Sequence, residues 1–381
     1  MNILALNWQD LKNPLSGGAE VHLEELLRRL VAMGHTVTLF CSNFEGGTEE
    51  DTVQGVRIIR RGGRYDFNFI APFHLRKLIK REKFDILIED INKIPFYTPL
   101  YLNIPTLVVI PHLFSTSVFQ EINFVLGSYI YLFEKPMASI YRGRKFNVIS
   151  ESTADDLRAR AIPQADISVV HCGIDSEMYN VAENVEKDPF PSVIYLGRIK
   201  KYKSVQHLIQ AISQLKESMP EIKLTIVGAG DYMDELKSLT TKLNLDDTVE
   251  FTGFISPEEK VNRLRRAHVC VCPSFKEGWG LTNIEANACG TVTVSADVEG
   301  LRDSLRDGET GFLYPYGDIN ALANGLAKIL SDVTLRKKLE AGALKWAANF
   351  SWDSAAERFM EVVEDTIASE ISRSSQTENV Q

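Results

Sequence analysis

No stretch of this chain stays apolar for the ~18 residues that a membrane-crossing helix needs. The longest candidate, Phe124-Val-Leu-Gly-Ser-Tyr-Ile-Tyr-Leu-Phe133, has only ten. The opening residues, Met1 to Trp8, lack the basic start of a secretory signal and soon meet Asp10, so they read as a first strand. Cysteine is scarce: Cys41, Cys172, Cys270, Cys272 and Cys289. An odd count without a framework excludes a disulfide scaffold and suits a reducing, cytoplasmic setting. Cys270-Val-Cys272 is one residue short of a metal or redox spacing and lies in an apolar run, so core thiols are expected. Basic residues are outnumbered, 42 against 51, for a net charge of −9. That argues against nucleic acid as the partner, because phosphate neutralisation needs an excess of cations. Gly-x-Ser-x-Gly, His-Glu-x-x-His and Walker sequences are absent as well.

What is present is a rhythm. A chain of 381 residues exceeds the ~250–300 at which a single core stops growing, so two domains are expected. Asn2–Leu6 predicts a strand, Ala19–Met33 an amphipathic helix closed by Gly34, and Thr36–Cys41 the next strand. Later strands are predicted at Ile86–Glu89, Thr106–Ile110, Phe146–Ser150 and Ile167–Val170. The polar stretch Asp175–Pro191 interrupts the series and reads as an interdomain linker. A second series follows, with strands at Val193–Leu196, Lys223–Val227, Val249–Phe251, Val269–Cys272 and Thr291–Ser295 alternating with helices. Such alternation implies two parallel, Rossmann-like α/β sheets. Open sheets of this kind bind ligands beyond the carboxyl ends of their strands, which directs attention to the strand-to-helix loops and to a cleft between the two domains.

The most specific of these loops is Glu277-Gly278-Trp279-Gly280-Leu281-Thr282-Asn283-Ile284-Glu285-Ala286. Two glycines let the backbone approach a ligand, and the amides of Gly280, Leu281 and Thr282 at a helix start suit a phosphate. Glu285 alone could be a carboxylate favouring the helix dipole, but the flanking Gly-Trp-Gly is not explained that way. The segment resembles the E-x₇-E signature of the family-4 glycosyltransferases and matches it at every fixed position. The resemblance extends to Gly197-Arg198-Ile199 through Lys203-Ser204, where Ser204 replaces the family's usual glycine, and to Ser16-Gly17-Gly18-Ala19-Glu20. It also covers Ile226–Asp231, Asp307–Leu313 and Phe350-Ser351-Trp352.

This resemblance implies the GT-B fold, two Rossmann-like domains facing across a cleft. Residues 1-180 would form the acceptor-binding domain and 190-354 the nucleotide-sugar domain. Residues 355-370 would be a helix returning to the first domain, and 371-381 a disordered tail. It further implies a retaining hexosyltransferase, with a nucleoside-diphosphate sugar as co-substrate and no resident cofactor. Arg198 and Lys203 would grip the diphosphate, a role in which fixed cations stabilise a departing anion. Gly278, Trp279, Gly280, Leu281 and Thr282 would line the donor site and Ile255 would wall the base. Glu277 would orient the hexose hydroxyls and Glu285 the ribose. Gly17 and Gly18 would bring amides toward the diphosphate or sugar, although a tight turn would equally account for that glycine pair. His112, after strand Thr106–Ile110, would lie beside the transferred sugar, a packed or capping histidine being the other reading. No Asp-x-Asp occurs to hold a metal on the diphosphate, so a metal-independent enzyme is expected. A nucleotide-sugar epimerase of the same fold and a non-catalytic sugar-nucleotide binder are the alternatives.

The acceptor, be it glycan, lipid or small molecule, is not legible. Through Asn180 the chain has 19 basic and 21 acidic residues, against 23 and 30 beyond. The first half carries two basic clusters: Arg57, Arg60, Arg61 and Arg64, then Arg76, Lys77, Lys80, Arg81 and Lys83. Peripheral contact with an anionic membrane surface at the inner face is one reading of them, and a solvated helix face is the other.

Overall fold

A computed structural model describes residues 1–114, 118, 124–182 and 184–378. The chain divides into two compact units, Met1–Cys172 with Trp352–Gln381, and Gly173–Ser351. Each is an α/β unit built on one sheet.

The first sheet is formed by β1 (Asn2–Leu6), β2 (Thr36–Cys41), β3 (Glu50–Val53), β4 (Val56–Arg60), β5 (Ile86–Asp90), β6 (Thr106–Ile110), β7 (Lys145–Val148) and β8 (Ile167–Val169). Their order is β3-β4-β2-β1-β5-β6-β7-β8. All pairings are parallel except the β3–β4 hairpin at the edge. β1, β5 and β6 are almost wholly buried, as expected for strands covered on both faces. Helix Gly18–Ala32 buries Leu23, Leu26, Leu27 and Leu30 at helical spacing. Gly34, at φ +91°, then turns the chain into β2 in a conformation that favours glycine.

The second sheet comprises β9 (Ser192–Leu196), β10 (Lys223–Val227), β11 (Val249–Gly253), β12 (Val269–Cys272), β13 (Val292–Ala296) and β14 (Gly311–Tyr314). It is parallel throughout, in the order β11-β10-β9-β12-β13-β14. Helix Val205–Leu215 buries Val205, Leu208, Ile209, Ile212 and Leu215 against it. Each such side chain contributes about 1.5–3 kcal/mol by leaving water.

Four expectations need correcting. The hairpin β3–β4 was not anticipated, because Arg57, Arg60 and Arg61 read as a basic patch rather than as strand residues. Arg57 pairs with Glu82, Arg61 with Glu49 and Glu50, and Arg60 is fully buried against Asp10 at 2.6 Å. The hairpin's cations are therefore neutralised within the fold. The stretch Asp175–Pro191 is not suspended between domains. Tyr179 accepts a hydrogen bond from Lys260, and Lys187 donates to the carbonyls of Ala267 and Gly290 and to Thr291, so it is strapped onto the second unit. The last helix spans Trp352–Glu378 and so runs past the expected start of a tail at 371, of which 379–381 lie outside the described residues. It packs on helix Gly18–Ala32, with Arg29 bound to Asp353 at 2.5 Å. Trp279 is the fourth correction and belongs to the site below.

Candidate active site

In the second unit the carboxyl edge of the sheet carries the chemistry. β9 leads to Arg198 and Lys203, its neighbour β12 leads to Glu277, and β11 leads to Ile255. The loop after β9 is held low over the sheet by close backbone contact. A Cβ on Gly228 would sit 1.9 Å from the Gly197 carbonyl oxygen, and one on Gly230 would sit 2.0 Å from that of Ile199. The Ile199 amide donates to Ala229 O at 2.9 Å. Glycine is thus required at both positions to seat the segment that presents Arg198.

Lys203 and Glu277 form an ion pair, Nζ to Oε1, at 2.5 Å. Burial pulls the Lys203 pKa down, but the charge of Glu277, with Tyr202 and the hydrogen bond, more than offsets it, and the net shift is upward. The ammonium also lies 5.2 Å from the Tyr202 ring centroid. Lys203 is therefore a fixed cation. Arg198 is exposed, and its guanidinium has no hydrogen bond or ion pair among the described residues. Ser204, where the family motif has glycine, adopts φ +55° and ψ +31°, the left-handed conformation that glycine would take without cost. Its hydroxyl bonds to that of Tyr316 at 2.9 Å, a contact glycine could not make.

Gly280, at φ +82°, starts helix Leu281–Ala288, whose first amides, those of Leu281 and Thr282, have no acceptor among the described residues. They leave a partly positive helix end beside the Glu277 loop. Gly300 lies directly behind that loop: a Cβ there would be 2.2 Å from Glu277 O. Asn283 was not singled out in the sequence as a site-shaping residue. It is fully buried, accepts from Ser295 Oγ and donates to Ser304 Oγ, each at 2.9 Å, and so clamps the helix start. Its only signal was an amide at the third position of a helix otherwise facing the core.

Two expected donor contacts look different in the structure. Trp279 is 3% exposed and packs edge-on against Phe350, with ring centroids 5.4 Å apart, so its indole is part of the core. Only the neighbouring backbone remains for ligand. Glu285 is met by Lys260 through both oxygens, at 2.9 and 2.8 Å, and Lys260 also donates to Tyr179 at 2.8 Å. Burial would depress the Lys260 pKa, but Glu285 outweighs it and the net shift is upward. Ile255 is half-buried and packs against the core cluster that includes Leu196 and Val261.

The first unit carries the other expected residues on its own carboxyl edge. Gly17 has φ −148°, and neither it nor Gly18 has a positive φ. A Cβ on Gly18 would meet no atom within 4 Å. At Gly18, therefore, neither backbone conformation nor packing demands glycine. The loop is held by buried Glu20, whose carboxylate accepts from the Gly17 amide at 2.7 Å, Asn92 at 2.9 Å and Gln9 at 3.1 Å. His112 follows β6, half-buried, 4.8 Å from the Phe114 ring. That loop is anchored by Glu134, which accepts from the Phe114 amide at 2.8 Å and from Arg160 at 2.5 Å. Among the described residues, no three His, Cys, Asp or Glu side chains cluster as metal ligands would.

Comparison with known proteins now bears on this layout. Residues 16–178 match the family model described as Glycosyltransferase Family 4, and residues 180–346 the one described as Glycosyl transferases group 1. The chain belongs to glycosyltransferase family 4. Among curated relatives, the D-inositol 3-phosphate glycosyltransferase of Streptomyces bingchenggensis is 32% identical over 225 residues, covering 54% of this chain and 50% of the relative. The matched region thus spans about half the length of such relatives. Among solved structures, sucrose-phosphate synthase from Thermosynechococcus elongatus superposes with a TM-score of 0.81 at 22% identity, over 96% of this chain and 99% of that one. Anabaena HepE in complex with UDP gives 0.76 at 17% identity, over 96% and 100%. The likeness establishes the family's GT-B fold, two Rossmann-like α/β domains.

Proposed function

We propose that the protein transfers a hexosyl group from a nucleoside-diphosphate sugar to a hydroxyl acceptor, with retention at the anomeric carbon. The observation that carries this is the grouping of the Lys203–Glu277 pair, unpaired Arg198 and the free amides of Leu281 and Thr282 at one sheet edge. Arg198, Lys203 and those amides bind the diphosphate. As the anomeric carbon–oxygen bond breaks, they stabilise the negative charge that the departing diphosphate gains. The acceptor oxygen bonds to that carbon on the same face, and its proton passes to a diphosphate oxygen. Glu277, steadied by Lys203, accepts hydrogen bonds from the hexose hydroxyls. Glu285, steadied by Lys260, accepts from the ribose, and the backbone at Ile255 borders the base. Gly17, Gly18 and His112 act on the transferred sugar. With two side-chain cations and a helix start on the diphosphate, transfer needs no metal and should persist in chelator.

The fold alone supports no choice of donor base. The curated relatives' printed acceptor, inositol 3-phosphate, makes a phosphorylated polyol the first acceptor to try. A thermal-shift screen of UDP, GDP and ADP with their sugars tests the donor reading. A nucleotide at 100 times its Kd should stabilise the fold by about 2.7 kcal/mol. The reading fails if none of them shifts the Tm and no nucleotide sugar is turned over with any acceptor.

A further inference from the structure

Helix Phe67–Arg81 has two unlike faces. Phe67, Ala71 and Leu75 are buried in the first unit. On the other side Phe69 and Phe73 are 68% and 69% exposed, and Tyr65, just before the helix, is 85% exposed. Phe69 and Phe73 are four residues apart and share a face, and the same spacing continues to Lys77 and onward past Arg76 to Lys80. Arg76, Lys77, Lys80 and Arg81 are all exposed. The helix contains no acidic residue. Its flanking acids are engaged, Asp66 by the Gly63 amide and Glu82 by Arg57.

The surface continues beyond this helix. Arg76 lies 5.4 Å from the Tyr101 ring centroid, and adjacent Leu100 is 66% exposed. Asn68 donates to the Tyr129 hydroxyl at 3.1 Å, which ties the helix to helix Phe124–Glu134, where Val125 is 76% exposed. Neither Phe69 nor Phe73 belongs to the core cluster beneath the helix. Contiguous apolar surface rimmed by charge of one sign marks an interaction site.

We infer that this face of helix Phe67–Arg81 rests on an anionic lipid surface. Phe69 and Phe73 enter the boundary between headgroups and acyl chains, and Arg76, Lys77, Lys80 and Arg81 meet lipid phosphates. Charge decides the occupant. A second copy of the chain would set the same four cations against each other across an apolar contact, whereas an anionic bilayer complements both the charge and the outward rings. The inference does not depend on the proposed transfer reaction, because no residue of the face has a role in it.

Flotation of the full chain with vesicles tests it, using phosphatidylcholine with about a third phosphatidylglycerol against phosphatidylcholine alone. The protein should float with the anionic vesicles, weakly with the neutral ones, and less at high salt. Each cation near such a surface is worth about a factor of five, so Lys77→Gln, Lys80→Gln and Arg81→Gln together should lower partitioning about 100-fold. Phe69→Ser with Phe73→Ser should lower it at least ~10-fold. All five side chains are exposed, so both variants should keep the wild-type Tm and the wild-type rate on a water-soluble acceptor. The inference would be overturned by no flotation of the wild type, by flotation of both variants equal to that of the wild type, or by a wild-type dimer that the Phe variant dissolves. Tighter retention on a DNA or RNA oligonucleotide than on anionic vesicles would do the same.

Discussion

Replacing Gly18 by alanine separates a folding role from a ligand role at the first loop. The fold sets no demand for glycine there: φ is not positive, and the added Cβ would meet nothing within 4 Å. Alanine at a compatible position restricts the unfolded chain and stabilises by about 0.4–1 kcal/mol. For a unit of this size that raises the Tm by roughly 1–4 °C. If Gly18 is instead small so that a ligand oxygen can reach the backbone, the Cβ occupies that oxygen's path. Losing one hydrogen bond to a charged group costs about 1.5–3 kcal/mol, or roughly 10- to 150-fold in kcat/KM. The assay is initial-rate transfer alongside a calorimetric melt of the same preparation. An unchanged kcat/KM would refute the reasoning, and so would a Tm lowered by several degrees, because that would place the glycine's role in folding.

Other outcomes follow from contacts already described. Asn283→Ala removes a buried amide and strands Ser295 and Ser304, so denaturant unfolding should show a loss of about 2–3 kcal/mol. Asp10→Ala removes the closer partner of the fully buried Arg60 guanidinium and leaves it only the longer pair to Asp51 at 3.4 Å, so a loss of about 3 kcal/mol is expected in the same measurement. Burial raises the Asp10 pKa, but its hydrogen bond and charge pairing with Arg60 outweigh that and hold it below the usual carboxylate range. Its stabilisation is therefore complete above the unfolded-state pKa of about 4 and lost as pH falls through the folded value. Stability measured from pH 6 to pH 2 should accordingly decline less in Asp10→Asn than in the wild type. Arg198→Ala should weaken donor binding about 10- to 150-fold by calorimetry with little change in Tm, because the side chain is exposed.

Much of this architecture was legible because parallel strands buried on both faces leave a strong mark. β1, β2, β6, β10 and β12 fall on the expected residues, since each is a short run rich in apolar and β-branched residues that ends in a loop. The β3–β4 hairpin was hidden because Arg60 is a core residue through its pairing with Asp10, fifty positions away. No local pattern announces such a pair. The Glu277 loop was legible from its glycines, and at Gly280 the need is visible in the close packing, where a Cβ would sit 2.6 Å from Ser304 Oγ. What spacing could not convey was direction. Trp279 turns inward to Phe350, Lys260 and Tyr179 converge on Glu285 from distant segments, and Phe69 and Phe73 turn outward beside the cations already noticed. The clamp on the Gly17 loop, in which Glu20 is held by Gln9 and Asn92, likewise depends on contacts across the sheet edge.

The central claim is that Glu277, held by Lys203, orients the sugar being transferred while Glu285 serves the nucleotide. Steady-state transfer kinetics of Glu277→Ala and Glu285→Ala, with product resolved by chromatography, test it most directly. Glu277→Ala should lower kcat about 10- to 150-fold with its fold intact, from the loss of a charge-assisted hydrogen bond in the transition state. Glu285→Ala should chiefly raise the KM for donor. Near-normal turnover and donor affinity in both variants would contradict the account.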